Sequence, residues 1–339
     1  MDAVDRADLD ARVVLLPDAR LCDDVCHGSW SVVPRSGCGR AGFYGNLPCV
    51  LLLTGATGLV GSALLRRLTA AREPVRCLVR DPRRLGPERV RVQIALGDLS
   101  DPPSFRNALR GVDTVVHLAA AIRDQPHGSI EELNGIATWR MVEAAERAGV
   151  ERFVFFSALS ASAHNRTRFL RAKALAEEAV RASSIAHTVF APSIIYAPGD
   201  PYLTLLSRLA LLPLMPISGS GRAQFQPIWA HDVADCVMAA LDAGAGERYE
   251  LAGPETLSHR EIVELALRSQ HRHRRLVHVP TPIVSRTLRV LEALMKSKAP
   301  ATWDEAELLE VSLLSERGTA DAQRLGVEPS YMAAVLGAP

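Results

Sequence analysis

Three glycines, Gly55, Gly58 and Gly61, follow the uncharged run Val50–Thr54 and lead into a helical pattern with Leu64, Leu65 and Leu68. Residues of this type at this spacing suit a diphosphate. Gly55 lets the chain turn sharply, Gly58 lets backbone N–H groups approach the anion, and Gly61 lets the helix pack against the strand. Thr57, Leu59 and Val60 occupy the turn and the helix tip, where unpaired N–H groups and the dipole favour negative charge. An ordinary glycine-rich turn is the plain alternative, but the preceding strand and following helix are the context a dinucleotide site demands. Arg80 stands about 20 residues further on, where an NAD site would carry an acid, and Arg83 and Arg84 follow it. Cations there suit a ribose 2′-phosphate, so the pattern points to NADP(H) over NAD(H); the rival reading is a solvated basic loop beside Asp81. Asp98 and Leu99 suit the adenine, and the small residues Ala119 and Ala120 leave room for a ligand across the sheet.

These residues need a scaffold that delivers them to one edge. Val50–Thr54, Val75–Arg80, Val90–Leu96, Thr114–Leu118, Phe153–Phe156 and Ala186–Ala191 read as strands, with helices over 102–109, 130–148 and 166–182 between them. Such alternation predicts an α/β fold with a doubly wound parallel sheet. Residues 48–200 form the expected dinucleotide domain. Beyond Pro198–Pro201 the pattern loosens into a smaller, mainly helical region, 201–339, with short strands returning to the core. It includes an apolar helix near 203–212, a glycine-rich turn at 218–221, and helices over 258–268, 283–296 and 303–313. Residues 1–47 show no sustained periodicity and read as a disordered or loosely docked tail.

Composition narrows the function class. The chain has 339 residues, 48% hydrophobic and 23% charged, with a net charge of +1, which gives no basic surface for nucleic acid. No run reaches the roughly 18 apolar residues of a membrane span. Cys22 and Cys26 are separated by three residues and find no fourth metal ligand in register, so no metal site is expected. Cys77 and Cys236 fall in strand and helix patterns and read as buried free thiols. The sequence therefore suggests a cytoplasmic protein. The run from His271 to Arg275 (His-Arg-His-Arg-Arg) reads as a solvated loop.

Together, Thr54-Gly55-Ala56-Thr57-Gly58-Leu59-Val60-Gly61, Gly97-Asp98-Leu99 and His117-Leu118-Ala119-Ala120 resemble the extended and atypical short-chain dehydrogenase/reductase superfamily. Asn134-Gly135, Phe225-Gln226-Pro227-Ile228 and His231-Asp232-Val233-Ala234 point the same way. The tail, with Leu308-Leu309 and Leu325-Gly326-Val327-Glu328-Pro329, is most similar to the subgroup containing the nucleotide-binding accessory subunit of respiratory complex I. The resemblance implies a Tyr-x-x-x-Lys pair on a helix and a Ser or Thr after the fifth strand. Lysine there lowers the phenol pKa so that tyrosine can pass a proton during hydride transfer. This chain has Lys173 but carries Phe169 at the tyrosine position. Ser157 is the candidate hydroxyl, with Ala158 and Ser160 as rival alignments. Pro192 and Ser193 resemble the segment beside the nicotinamide, where Ala191 replaces the usual arginine.

Phe169 has no proton to give, so two readings follow. In the first, NADP(H) is held structurally or for sensing. In the second, the protein is an NADPH-dependent reductase of a small apolar or quinone-like carbonyl, with another donor such as Tyr196 or His164. A nucleotide-sugar epimerase or dehydratase is disfavoured, because that chemistry needs the missing tyrosine. Trp229, His231 and Asp232 are expected to order the lid. The resemblance also implies pairing of two copies through the helices around the site, and peripheral contact with a membrane is compatible with it.

Overall fold

The computed structural model describes residues 50–243, 246–295 and 301–338. The predicted tail, 1–47, and the Cys22–Cys26 spacing lie outside the described residues. In chain order the first half runs β1 (Val50–Thr54), α1 (Leu59–Ala70), β2 (Val75–Val79), β3 (Gln93–Leu96), α2 (Pro102–Phe105), β4 (Val112–His117), α3 (Ala137–Ala148), β5 (Arg152–Phe156), α4 (Arg168–Ala182) and β6 (Ala186–Pro192). The second half runs β7 (Ile195–Tyr196), α5 (Pro201–Leu209), β8 (Leu214–Ser218), β9 (Gln224–Phe225), β10 (Ile228–Trp229), α6 (Ala230–Asp242), β11 (Arg248–Leu251), β12 (Leu257–Ser258) and α7 (His259–Arg268). It ends with β13 (Arg275–Val279), α8 (Thr281–Met295), α9 (Trp303–Leu308), α10 (Ala320–Arg324) and α11 (Met332–Leu336).

Seven strands form one parallel sheet in the order β11-β6-β5-β4-β1-β2-β3. The expected doubly wound α/β sheet is therefore present. Alternate residues of its central strands feed two cores. Leu53, Val116 and Val154 face the side covered by α1 and α6, whereas Leu52, Val115, Phe153 and Phe155 face α3 and α4. Burial on both faces explains why these strands carry so few charges. The chain leaves β1 toward β2 and β3, then returns to place β4 on the other side. That reversal opens a crevice at the carboxyl ends of β1 and β4, where open α/β sheets bind ligands.

Three local differences from the sequence reading have physical causes. The third strand begins at Gln93 rather than Val90, because Pro82–Val90 forms 3₁₀ turns broken at Gly86 (φ +61°) ahead of Pro87. The helix expected over 130–148 contains a π turn, Glu132–Ile136, before α3. The helix expected over 303–313 stops at Leu308, because Leu313 donates its N–H to Gln224 beside β9. A third core joins the second half to the site: Tyr196, Phe225, Ile262, Val263 and Met332 are buried there, with Phe169 and Trp229 packed against them.

Candidate functional site

The glycine turn is shaped from within the protein. Gly55 has φ +70°, and a Cβ there would sit 2.6 Å from the Ala119 N. A Cβ on Gly61 would lie 2.1 Å from the Gly55 carbonyl oxygen. Both positions therefore exclude a side chain so that α1 can close on β1 and β4. Gly58 differs: its Cβ would approach only the Gly55 oxygen, at 3.2 Å, leaving its other side open. Gly58 is the N-cap of α1 and gives no side-chain cap, and no acid occupies the first turn. The N–H groups of Leu59, Val60 and Gly61 thus have no intrahelical acceptor. This open, uncapped helix tip fits a diphosphate, and a residue such as Asp at position 58 would fill it.

Arg80 leaves the end of β2 with its side chain half exposed. Its Nη1 donates to Gln125 Oε1 at 3.1 Å and lies 3.9 Å from Asp98 Oδ2. Asp98 also accepts from the Ser100 N–H and hydroxyl. Burial pushes the Asp98 carboxyl up, but the Ser100 bonds and the Arg80 and His127 charges outweigh it and hold the group below its ordinary value. Arg80 and Asp98 are thus brought together, whereas Arg83 and Arg84 point to solvent. Leu99 and Ala119 are half-buried and Ala120 is exposed, so the exit of β4 stays low.

Behind that exit lies a polar chain. His117 is fully buried, with Nδ1 3.0 Å from Thr54 Oγ1 and Nε2 3.2 Å from Thr138 Oγ1. Thr138 donates its proton to the Asn134 carbonyl at 2.6 Å, so it accepts from His117, which carries its hydrogen on Nε2. Thr54 then donates to Nδ1 and accepts from the Ala119 N–H at 3.3 Å. Asn134 finishes the chain by gripping both the N–H and the carbonyl of Ala121. Desolvation, with the nearby Lys173 charge, pushes the His117 pKa down to about 3, so the ring is a neutral strut. His117 and Asn134 lie within the motif residues, but this role depends on Thr138. The Asn134-x-x-x-Thr138 spacing is the one signal that pointed to it.

On α4, Phe169, Lys173 and Glu177 recur every four residues and share one face. Lys173 is buried and donates from Nζ to the Phe156 carbonyl at 2.7 Å, over the Phe155 and Phe169 rings at 5.1 and 5.8 Å. Desolvation lowers its pKa to about 7. Ser157, just past β5, donates its hydroxyl to Glu177, which also pairs with Arg181 and Arg248. The rival Ser160 donates to the Ser312 carbonyl at 3.1 Å. Both serine hydroxyls are therefore engaged away from Phe169. Glu177 was not foreseen; its place one turn beyond Lys173 was the available hint.

The second half closes over this corner. Pro192 is buried at the end of β6, and its carbonyl accepts from the Leu159 N–H. Ser193 Oγ donates to the Leu313 carbonyl at 2.7 Å and accepts from the Gln226 N–H at 3.0 Å, so it clasps two C-terminal segments. Arg168, beside Phe169, pairs with Asp124, Glu131 and Asp304 and ties α9 to the loop after β4. Of the proposed substitute donors, His164 is exposed, whereas Tyr196 is buried and its hydroxyl has no hydrogen-bond partner among the described residues. The same holds for Trp229 Nε1, and Trp229 is in register with Tyr196 across β10 and β7. His231 stacks on Trp229 and lies beside Arg66 and Arg67 of α1, whereas Asp232 accepts from the Ser330 N–H and so braces the C-terminal segment. A cleft of about 600 Å³ near Ser220, Arg222, Arg260 and His278 includes none of the sequence-predicted site residues.

Comparison with known proteins accords with this geometry. A family model described as NAD(P)H-binding matches residues 55–244. The chain is 29% identical over 266 residues to the NADH dehydrogenase [ubiquinone] 1 alpha subcomplex subunit 9 of Arabidopsis thaliana, covering 74% of this chain and 65% of that protein. It is 33% identical over 230 residues to the sterol demethylase protein B of Methylococcus capsulatus (60% and 69%). It is 31% identical over 170 residues to the ceramide reductase of Caulobacter vibrioides (50% and 53%). The chain thus spans about half to two thirds of the length of these relatives. Among solved structures, a Staphylococcus aureus nucleoside-diphosphate-sugar epimerase superposes with a TM-score of 0.70 at 20% identity, covering 84% of this chain and 99% of that one. That likeness establishes the fold alone.

Proposed function

We propose, from the premise that this chain belongs to the NAD(P)H-binding family matched over residues 55–244, that it holds NADP(H) as a structural or sensing ligand. Gly55, Thr57, Gly58, Leu59, Val60 and Gly61 take the diphosphate, and Asp98 and Leu99 take the adenine. Arg80 meets the 2′-phosphate with its half-exposed guanidinium, exchanging its contact with Gln125 for the phosphate. Lys173, Ala119, Ala120, Pro192 and Ser193 would hold the nicotinamide end, with Lys173 turning from the Phe156 carbonyl to a ribose hydroxyl. A bound nicotinamide supplies hydride chemistry, but this chain offers no phenol beside Lys173. Phe169 at that position is the observation that carries the reading. On this proposal residues 48–200 bind the nucleotide and 201–339 close over it, in a cytoplasmic protein.

A second reading rests on a separate observation. Tyr196 and Trp229 place two buried, unpartnered donors in adjacent register where the C-terminal core meets Phe169. Buried donors of this kind call for an acceptor, and a carbonyl in an apolar setting would serve. The names of two relatives, ceramide reductase and sterol demethylase protein B, support an apolar, lipid-like substrate for such a reductase.

The test is direct. Nucleotide co-purifying with the native protein is identified, affinities for NADPH and NADH are measured by calorimetry, and NADPH oxidation is followed against a carbonyl and quinone panel. Tight NADPH without turnover supports the first reading. Turnover lost in Tyr196→Phe supports the second, and no affinity for either dinucleotide defeats both.

A further inference from the structure

The run His271–Arg275, with the helix after it, forms a surface that the nucleotide site leaves unused. Between Arg268 and Met295 the chain carries six arginines and three histidines against one carboxylate, Glu292. Counting Arg, Lys, Asp and Glu, this stretch has a net charge of +5, so the rest of the chain, whose total is +1, is at −4. None of the six arginines forms an ion pair among the described residues. Arg272 and Arg274 instead donate to the carbonyl of Ala210, each at 3.1 Å, which sets their guanidinium groups beside the end of α5.

Exposed apolar side chains are concentrated on the same elements and on β8, which pairs with β13. Seventeen large hydrophobic residues are exposed among the described residues, and eight belong to this region: Leu211, Leu212 and Leu214 near Ala210, Val277 on β13, and four on α8. β8 pairs with β13 in parallel, Leu214 against Arg275 and Pro216 against Val277. Residues in register share a sheet face, so Leu214, Pro216, Arg275 and Val277 look outward together while Met215 and Ile217 are buried.

α8 follows after Pro280. Val284, Ser285, Leu288 and Leu291 form its inward side, and the helix packs on α9, where Arg289 stacks on Trp303 at 4.4 Å. On the opposite side Ile283, Val290 and Leu294, spaced i, i+7 and i+11, form a second apolar stripe, 55%, 61% and 77% exposed. Arg286 lies along one flank of that stripe. A helix apolar on two faces has a neighbour for each, and the described chain supplies only one.

We infer that β13 and α8 form a docking surface for an anionic phospholipid bilayer, on which α8 lies in the plane of the interface. Charge and apolarity together single out that occupant. A nucleic acid is met by cations alone and has no use for an aliphatic stripe. Fifteen residues of helix extend only about 22 Å, short of the roughly 30 Å hydrocarbon layer, so α8 lies on the membrane and does not span it. Aliphatic side chains enter the acyl boundary while arginines beside them meet phosphates, and the two contributions reinforce each other. The inference does not rest on the nucleotide reading.

Vesicle flotation of the full chain tests it, with phosphatidylcholine vesicles that do or do not contain phosphatidylglycerol. The expected result is flotation with the anionic vesicles, at least about tenfold weaker with the neutral ones, and released by high salt. Val290→Glu with Leu294→Glu, and separately Arg275→Glu with Arg286→Glu, each reduce binding about tenfold or more. These side chains are exposed, so circular dichroism and thermal midpoint stay those of the parent protein. No flotation, or flotation that both double variants retain, overturns the inference. A concentration-dependent dimer abolished by the Val290→Glu/Leu294→Glu variant would also overturn it, and would assign the stripe to a second copy of this chain.

Discussion

The phosphate turn and the proton-transfer corner lie at the same edge of one sheet, yet they are built to different standards. In the turn every choice is forced by backbone contact: a side chain on Gly55 or Gly61 would overlap main-chain atoms, and only Gly58 opens outward. In the corner, on the proposed function, the scaffold is kept and the reacting atoms are not. Lys173 is buried in place, but the ring four residues before it lacks a hydroxyl, and Ser157 donates to Glu177. On the function proposed above, the fold keeps a ligand cradle while losing the chemistry above it, because the cradle is backbone geometry whereas the chemistry depends on single side-chain atoms.

Four measurements would break or sharpen that contrast. Gly61→Ala should have the largest effect, because its Cβ meets a backbone oxygen that cannot retreat. It should cost at least about 2 kcal/mol in urea unfolding and abolish nucleotide binding. Gly58→Ala should leave the unfolding midpoint nearly unchanged and weaken NADPH binding about tenfold, roughly 1.4 kcal/mol. Equal damage from both would erase the distinction drawn between the two glycines.

Phe169→Tyr tests whether only an atom is missing. If the corner still fits proton transfer, carbonyl reduction in the variant should exceed the parent rate by about 10²-fold, the scale of general acid catalysis. An unchanged rate would mean that the Glu177–Ser157 arrangement has closed the corner to substrate.

Lys173 makes the corner sensitive to pH even without nucleotide. Its pKa falls from 10.5 to about 7 through desolvation. Below about 7 the amine is charged in both folded and unfolded chains, and above 10.5 it is neutral in both. Between these values only the unfolded chain holds the proton, so this residue's contribution to stability rises with pH. Urea unfolding from pH 7 to 9.5 should show the parent gaining stability relative to Lys173→Met, and parallel curves would refute the buried neutral amine. His117 acts at lower pH: with its pKa near 3 instead of 6.5, it stays neutral on folding, and its contribution is lost as pH falls between those values.

The smallest effect concerns the cofactor's phosphate. On the proposed function the half-exposed Arg80 guanidinium meets only the 2′-phosphate, so Arg80→Ala should weaken NADPH about tenfold and NADH much less. Equal losses in calorimetry would remove the preference for NADP(H).

Much of the first half was legible because its signals are local. Uncharged strands, glycine spacing and helical periodicity each follow from a few neighbouring residues, and β1 begins and ends where the pattern placed it. The second half was harder to read. The pairing of β8 with β13 joins segments about 60 residues apart, and Pro216 inside β8 disguises a strand. The basic run at 271–275 looked like a solvated loop, because nothing nearby shows that Arg275 starts a strand or that Arg272 and Arg274 reach the Ala210 carbonyl.

The amino-acid sequence by itself determined the α/β class, the glycine turn between β1 and α1 and the phenylalanine four residues before Lys173, since each is written in residue type at fixed short spacing. Only the tertiary structure decided that Ser157 is bound to Glu177, that Thr138 orients His117, and that exposed aliphatic residues on β13 and α8 accompany arginines with no ion pair among the described residues. Those arrangements depend on which distant segments meet, and burial on both faces of a sheet constrains composition far more tightly than it constrains partners.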